Sequence, residues 1–101
     1  MPVSSAYVIF EPSGVSFWHP PPIRQVLIIV EREGRSGVYG KPVSVLKKGD
    51  VVVCPKGIKH FHGAAPDKRM VQMTVTGYDP QGKNVTWMEP VTDQQYKNSE
   101  K

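Results

Sequence analysis

The sequence predicts an all-β protein, a sandwich or barrel with about eight or nine short strands. Three observations support this fold class. Apolar runs are short and rich in β-branched residues, which favour strands. Ten prolines and nine glycines separate these runs and favour turns over long helices. A chain of 101 residues can bury one core, so we expect residues 1–101 to form a single domain.

We predict the strands from the apolar runs in chain order. The run at residues 25–30, Gln-Val-Leu-Ile-Ile-Val, is apolar on both faces, and so is the run at residues 51–54. Strands of this kind are usually buried on both faces. A turn-rich segment at residues 34–40 has room for one short strand. The other predicted strands are residues 6–10, 15–19, 42–46, 59–62, 69–76 and 85–88.

The C-terminal tail is where the sequence predicts a helix. Residues 92–95, Thr-Asp-Gln-Gln, fit a capping box, in which a threonine and a glutamine three residues later each bond to the other's backbone. We expect a single short helical turn to follow Thr92.

A lone barrel has a hydrated outer surface, so its strands need apolar residues only on the inner face. The predicted strands that are apolar on both faces do not fit this pattern. We therefore expect another surface to cover the outside of the barrel. A second copy of the chain is the simplest candidate, so the predicted assembly is a homodimer.

Composition and charge exclude several functions. The net charge of +4 is spread along the chain, with no basic face interleaved with aromatic residues, so we expect no nucleic-acid partner. No apolar run approaches the roughly 20 residues of a membrane span, and the first residues do not resemble a signal peptide. The single cysteine, Cys54, cannot form an internal disulfide. We expect a cytoplasmic protein without a membrane partner.

Three histidines are the candidate ligand residues. His60 and His62 are two residues apart, so on one strand they project from the same face. His19 and Gln25 are six residues apart, and the prolines between them keep the chain extended, so they can share a face as well. Imidazoles that converge inside a small barrel bind divalent first-row metals. The alternative for each is a buried histidine whose ring is satisfied by a backbone carbonyl.

The segment from Gly49 to His60 resembles the second cupin motif, which is Gly, five residues, Pro-x-Gly, two residues and His. The match is complete through His60, and Ala64 stands at the family's later Asn. The continuation His-Phe-His-Gly-Ala and the tail at residues 82–96 are similar to a narrower group. These are small cupins related to carboxymuconolactone-decarboxylase-associated proteins and to manganese-dependent bacterial hydroxynitrile lyases. The resemblance implies a double-stranded β-helix, the cupin or jelly-roll barrel, with a short C-terminal helical turn.

The first cupin motif of this group is similar to Trp-His-x-His-Pro-x-x-Gln, which aligns without gaps with residues 18–25. His19 and Gln25 then stand at the first and last ligand positions, and Pro21 stands where the second histidine would be. A different register, with extra residues before Gln25, places His19 on the second histidine instead. We prefer the ungapped register because it also matches Trp18.

In the ungapped register the resemblance implies that His19, Gln25 and His60 hold a divalent metal. Mn, Fe, Zn and Ni cannot be distinguished with these ligands. Because Pro21 replaces a ligand histidine, we expect the metal to bind weakly or to be absent. His62 either compensates for the missing ligand or lines the pocket, which is its commoner role in the family.

Gln72 stands where relatives tend to have a histidine that is suited to be a general base. A glutamine cannot accept and release a proton near neutral pH, so this chemistry is not expected here. We expect His62 and Gln72 to be the catalytic residues and to act by orienting a substrate.

Two functions fit these residues. The first is a metal-binding cupin with a small-molecule pocket and a lyase- or decarboxylase-like activity on an organic acid or carbonyl compound, in which the metal polarises an oxygen. The second is a degenerate, metal-free cupin that acts as a non-catalytic binding module. Pro21 and Gln72 favour the second function.

Overall fold

The computed structural model describes residues 3–21, 23–77 and 87–98, which form seven β-strands and one short helix. The all-β prediction is confirmed. No helix in these ranges has the length and hydropathy needed to cross a bilayer. In chain order the elements are β1 (Val3–Phe10), β2 (Gln25–Glu31), β3 (Glu33–Val38), β4 (Ser44–Lys47), β5 (Val51–Cys54), β6 (His60–Ala64), β7 (Met70–Gly77) and α1 (Asp93–Lys97).

The strands form two antiparallel sheets. Sheet A has the strand order β1-β7-β2-β5, and sheet B has the order β4-β3-β6. Isolated bridges from Val15 to Gly63 and from His19 to His60 extend sheet B beyond β6. The predicted strand at residues 15–19 is thus reduced to two bridges.

The predicted strand at residues 85–88 is only partly covered by the structure. Residues 85 and 86 lie outside the described residues, and residues 87 and 88 are not in a named strand. The N–H of Met88 nevertheless donates to the Trp18 carbonyl (2.8 Å), and the N–H of Trp18 donates to the Glu89 carbonyl (3.0 Å). This segment therefore pairs with the chain before His19.

The core lies between the two sheets. Along β2, buried residues alternate with half-buried ones, so Gln25, Leu27 and Ile29 point inward. One apolar cluster joins the sheets and contains side chains of both: Ile29, Leu46, Ala64 and Met70, with Phe10 and Val52 packed against it.

Helix α1 covers part of the outer face of sheet B. The predicted capping box of Thr92 and Gln95 is present, and it satisfies N–H groups that the helix leaves free at its start. Tyr96 donates its hydroxyl proton to the Ala64 carbonyl over 2.6 Å. Beneath the helix lies a second apolar cluster of Trp18, Val43 and Phe61, with Val15, Val91 and Tyr96 packed against it.

The outer face of sheet A carries exposed apolar side chains. Tyr7 and Ile9 are 69% and 57% exposed, and Val51 and Val53 are 58% and 53% exposed. In a single chain the outer face of residues 51–54 is therefore exposed, and its burial requires the second surface that the sequence predicts. The physical reason is that the core covers the inner face of this sheet, while no described element packs on its outer face.

Two glycines place the turns on either side of β5. Gly49 and Gly57 have positive φ values of 92° and 78°, which glycine adopts without strain. Gly49 lies just before β5, and Gly57 lies in the turn that leads to His60. The glycines of the second motif thus direct the chain so that His60 begins β6.

Candidate functional site

Three imidazole rings meet on the inner face of sheet B. The ring centroids of His19 and His60 are 4.4 Å apart. His62 lies 5.3 Å from His19 and 5.6 Å from His60 by the same measure. All three residues are buried, with 1%, 2% and 8% of their surfaces exposed for His19, His60 and His62. The fold thus brings the three sequence-predicted histidines together.

The local structure explains this convergence. His60 and His62 alternate with Phe61 on β6, so both imidazoles point between the sheets while Phe61 packs in the outer cluster. His19 and His60 exchange two backbone hydrogen bonds of 2.9 and 3.0 Å. Directly paired residues on adjacent strands project their side chains from the same face, so His19 joins the other two rings.

A backbone carbonyl sets the protonation of His19. Its Nδ1 lies 2.8 Å from the Phe17 carbonyl oxygen, so Nδ1 carries the proton and donates it, and Nε2 keeps a free lone pair. Burial lowers the pKa of His19, and the bond to Phe17 opposes that shift. The Trp87 ring packs against the imidazole, with centroids 4.5 Å apart. His19 is therefore a neutral imidazole with one nitrogen available to a ligand.

His60 has two buried ring nitrogens, and neither has a hydrogen-bond partner within the described part of the chain. Burial lowers the pKa of His60 to about 4, and nearby His19 adds to this shift. The ring is thus neutral near pH 7, with one N–H and one lone pair. Leaving a buried polar group unpaired costs about 1–3 kcal/mol, so a bound species beside His60 is favoured.

Gln72 on sheet A reaches across to His62. The Gln72 Nε2 donates to Nδ1 of His62 (3.1 Å) and to Oγ1 of Thr74 (3.0 Å). Because Nδ1 accepts, the proton of the neutral His62 ring lies on Nε2. Burial, with contributions from His19 and His60, lowers the pKa of His62 to about 3, and the Gln72 bond opposes this shift. His62 is therefore a neutral hydrogen-bond donor at Nε2.

Each of the two glutamines leaves a buried amide oxygen free. Gln25 Nε2 donates to Thr76 Oγ1 (3.2 Å), and Gln25 Oε1 has no partner among residues that the structure describes. The same holds for Gln72 Oε1. Both side chains belong to sheet A, opposite the histidines of sheet B. No bond joins Gln25 to a histidine in the described ranges, so any link between them requires a bound species.

These residues define a modest set of metal donors. Among the described residues, no group of three His, Cys, Asp or Glu side chains is arranged to hold a metal ion. The available donors are His19 Nε2, a ring nitrogen of His60 and the amide oxygens of Gln25 and Gln72. Pro21 is fully buried, and its carbonyl accepts the Gly57 N–H over 2.9 Å. Pro21 thus ties the first motif to the second and supplies no metal-binding side chain.

Sequence reasoning missed the residues that hold the glutamines. Thr74 and Thr76 lie two and four positions after Gln72 on β7, so strand alternation places all three on the inner face. That signal was available from the sequence. The role of the Phe17 carbonyl could not be predicted, because every residue type has a backbone carbonyl.

The described residues form a small two-sheet β-barrel with histidines inside, and a Gly-x5-Pro-x-Gly-x2-His turn leads to one of these histidines. Comparison with known proteins shows which class of β-barrel protein has these features. An (R)-mandelonitrile lyase from Granulicella tundricola is 41% identical over 95 residues, which are 94% of this chain and 72% of that protein. No family model matches the chain.

Comparison with solved structures identifies the fold. A cupin-like protein from Thermotoga maritima superposes with a TM-score of 0.88 at 36% identity, covering 97% of this chain and 74% of that one. An RmlC-like cupin with a double-stranded β-helix fold, from Methanocaldococcus jannaschii, has a TM-score of 0.72 at 16% identity over 78% of this chain and 72% of that one. The chain belongs to the cupin family, and its fold is the predicted double-stranded β-helix.

Proposed function

We propose that this cupin is a metal-dependent lyase that acts on a small carbonyl compound or organic acid between its two sheets. The observation that carries the proposal is the set of buried polar atoms without partners among the described residues, the two ring nitrogens of His60 and the amide oxygens of Gln25 and Gln72. Such atoms are rare in a folded protein unless something binds to them. The similarity to a mandelonitrile lyase supports a lyase-type reaction.

His19, His60 and Gln25 are the proposed metal ligands. The Phe17 carbonyl fixes the His19 tautomer with the proton on Nδ1, so the lone pair of Nε2 can bind a metal, as in many metal-binding histidines. Bound there, a divalent ion of the Mn, Fe, Zn or Ni type supplies Lewis-acid polarisation of a substrate oxygen. Because Pro21 occupies the remaining ligand position, binding is weak and more positions stay available for water or substrate.

His62 and Gln72 are the proposed substrate-orienting residues. His62 offers Nε2–H as a donor and stays neutral, because its pKa is far below 7. Gln72 holds the His62 ring through Nδ1 and adds its own Oε1 as an acceptor. A substrate with one acceptor and one donor group is therefore held in a fixed orientation, which lowers the entropic cost of reaction.

A metal-free binding module is the second candidate function. It is favoured because the three clustered histidines are not arranged to hold a metal ion together in the described ranges, and Nδ1 of His62 is already bonded to Gln72. In that case a small molecule, rather than a metal, would pair with His60 and Gln25.

Elemental analysis of protein purified without a histidine tag separates the two functions. We expect bound metal in the wild type, its loss in His60→Ala, and its retention in His62→Ala, which is a matched change on the same strand. Cleavage of mandelonitrile to benzaldehyde and hydrogen cyanide, followed by the absorbance of benzaldehyde, should require the metal. A wild-type protein that binds none of Mn²⁺, Zn²⁺ or Ni²⁺ would contradict the lyase proposal and favour the binding module.

We also propose that the chain forms a homodimer through the outer face of sheet A. Two rows of paired residues cross this face: Tyr7, Met73, Ile28 and Val51 in one, and Ser5, Val75, Val26 and Val53 in the other. The rows carry no charge, so the surface that covers them must also be apolar. A second copy of the same face meets that requirement in a two-fold arrangement.

A further inference from the structure

A cleft opens between the edge strands of the two sheets. β4 is an edge of sheet B and β5 is an edge of sheet A, and the two are joined by the turn at residues 48–50. Away from this turn the strands separate around a cavity of about 370 Å³. A smaller cavity of about 40 Å³ lies beside it and reaches His60. Ser36, Val38 and Val52 line both cavities, so the two adjoin, and the smaller one lies on the side of the imidazoles.

The strand register shows why these cavities lie next to the candidate site. Val38 on β3 pairs directly with His60, and Ser36 pairs with His62. Ser36 also pairs with Ser44 on β4. Paired residues point to one face, so Ser44, Ser36 and His62 form a row from the cleft to the site. Adjacent strands are about 4.8 Å apart, so this row spans roughly 10 Å, the length of a small organic molecule.

The lining has the chemistry of a site for an amphipathic anion. Leu46, Val52 and Val38 provide apolar surface, and Ser36 provides a buried hydroxyl. Lys41 lies at the rim, where its N–H donates to the Val38 carbonyl over 2.9 Å.

The Lys41 ammonium makes no ion pair within the described part of the chain. Lys59 differs, since it pairs with Glu89 at 2.7 Å and lies 3.9 Å from the centre of the Tyr39 ring. The ammonium of Lys41 is thus available to a ligand, and Lys59 is engaged.

We propose that the cleft between β4 and β5 admits and binds a small organic acid. Its carboxylate pairs with Lys41, and the rest of the molecule lies on Leu46 and Val52 in the direction of His60. This inference rests on the proposed function, because it names the substrate class of the same site. Of the two substrate classes in the proposed function, the Lys41 ammonium favours an organic acid over a neutral carbonyl compound.

Binding of mandelate and of its neutral analogue mandelamide, measured by calorimetry, tests the charge part of the proposal. We expect mandelate to bind the wild type about threefold more tightly than mandelamide, the effect of one solvent-exposed ion pair. Lys41→Glu should remove this preference and leave the mandelamide affinity unchanged. Lys48→Glu is the matched control, since it makes the same charge change in the turn outside the cleft, and it should bind like the wild type.

A pair of tryptophan variants tests the route. Ser44→Trp fills the cleft and should weaken binding of both probes at least tenfold. Val45→Trp places the same ring on the opposite face of β4 and should have no effect. Undetectable mandelate binding, equal affinities for the two probes in the wild type, or equal effects of the two tryptophan variants would overturn the proposal. Thermal unfolding of each variant verifies that it is folded.

Metal content of the same samples separates this proposal from the proposed function. Stoichiometric metal together with any of the overturning results rejects the cleft and leaves the lyase proposal standing. Failure of the wild type to bind added Mn²⁺, Zn²⁺ or Ni²⁺ rejects the lyase proposal, while the binding differences still report on the cleft.

Discussion

Gln72 donates an amide N–H to Nδ1 of His62 over 3.1 Å, from sheet A to sheet B. This bond fixes the neutral tautomer of His62 with its proton on Nε2. A histidine at position 72 could exchange a proton with a substrate, whereas the amide can only hold its neighbour in place. In the proposed function this pair would therefore orient a substrate and exchange no proton with it.

Replacing the amide by a carboxylate should reverse this tautomer. In Gln72→Glu the side chain accepts a hydrogen bond from Nδ1–H of His62, so the proton moves from Nε2 to Nδ1. The ¹⁵N chemical shifts of the ring nitrogens report the change directly. Gln94→Glu, the same substitution on α1, should leave His62 unchanged. A His62 ring with the wild-type tautomer in Gln72→Glu would show that the Gln72 bond does not control it.

The stability of the metal-free protein should depend on pH through the buried histidines. An unfolded histidine titrates near its ordinary pKa of about 6.5. Folding lowers the pKa of His60 to about 4 and that of His62 to about 3, so below pH 6.5 the unfolded chain binds more protons. The stabilisation is complete above pH 6.5 and is lost as the pH falls toward 4, by up to about 1.4 kcal/mol per pH unit for each histidine.

Urea unfolding between pH 7.5 and 5 measures this slope. His60→Gln removes one of the titrating groups, so its free energy of unfolding should fall less steeply over the same range. A free energy of unfolding that is constant between pH 7 and pH 5 would mean that the histidines are not held neutral by burial.

Pro21→His tests the ungapped alignment of the first motif. If position 21 is the missing ligand position, the added imidazole should tighten Zn²⁺ binding about tenfold or more, equivalent to about 1.4 kcal/mol. Pro20→His makes the same change one residue earlier and should not tighten binding. Equal zinc affinities in both variants and in the wild type would favour the register in which His19 takes the second histidine's place.

The proposed dimer can be disrupted at β5. Val53→Asp places a charge in the apolar outer face of sheet A, so a dimer that buries this face should dissociate. Light scattering after size-exclusion chromatography gives the mass. Val45→Asp, at an exposed valine on sheet B, is the control and should keep the mass of the wild type. A wild-type protein that is monomeric at high micromolar concentration would contradict the dimer.

Much of the fold could be predicted from local sequence. Turn residues and short β-branched runs gave the strands, and the capping box of Thr92 and Gln95 gave the helix. The exposure of Val51 and Val53 could not be predicted in this way, because their apolar pattern is the same whether a core or a partner covers them. Whether the outer face is buried depends on the assembly that the chain forms.

Only part of the candidate site could be predicted from the sequence, and the reason is similar. The His60 and His62 spacing fixes a shared face, which is a local property of a strand. The bond between Gln72 and His62 depends on how two separate sheets face each other, and residue spacing carries no such information. The cleft beside Ser36 depends on where β4 and β5 diverge, which is also a property of the assembled sheets.

The location of a bound metal tests the central claim most directly. Crystals soaked in Zn²⁺ and measured at the zinc absorption edge should show one anomalous peak between the sheets, about 2 Å from a nitrogen of His19, a nitrogen of His60 and the Gln25 amide oxygen. The peak should be absent in His60→Ala crystals treated in the same way. A peak elsewhere, or none at saturating Zn²⁺, would contradict the assignment of these three ligands.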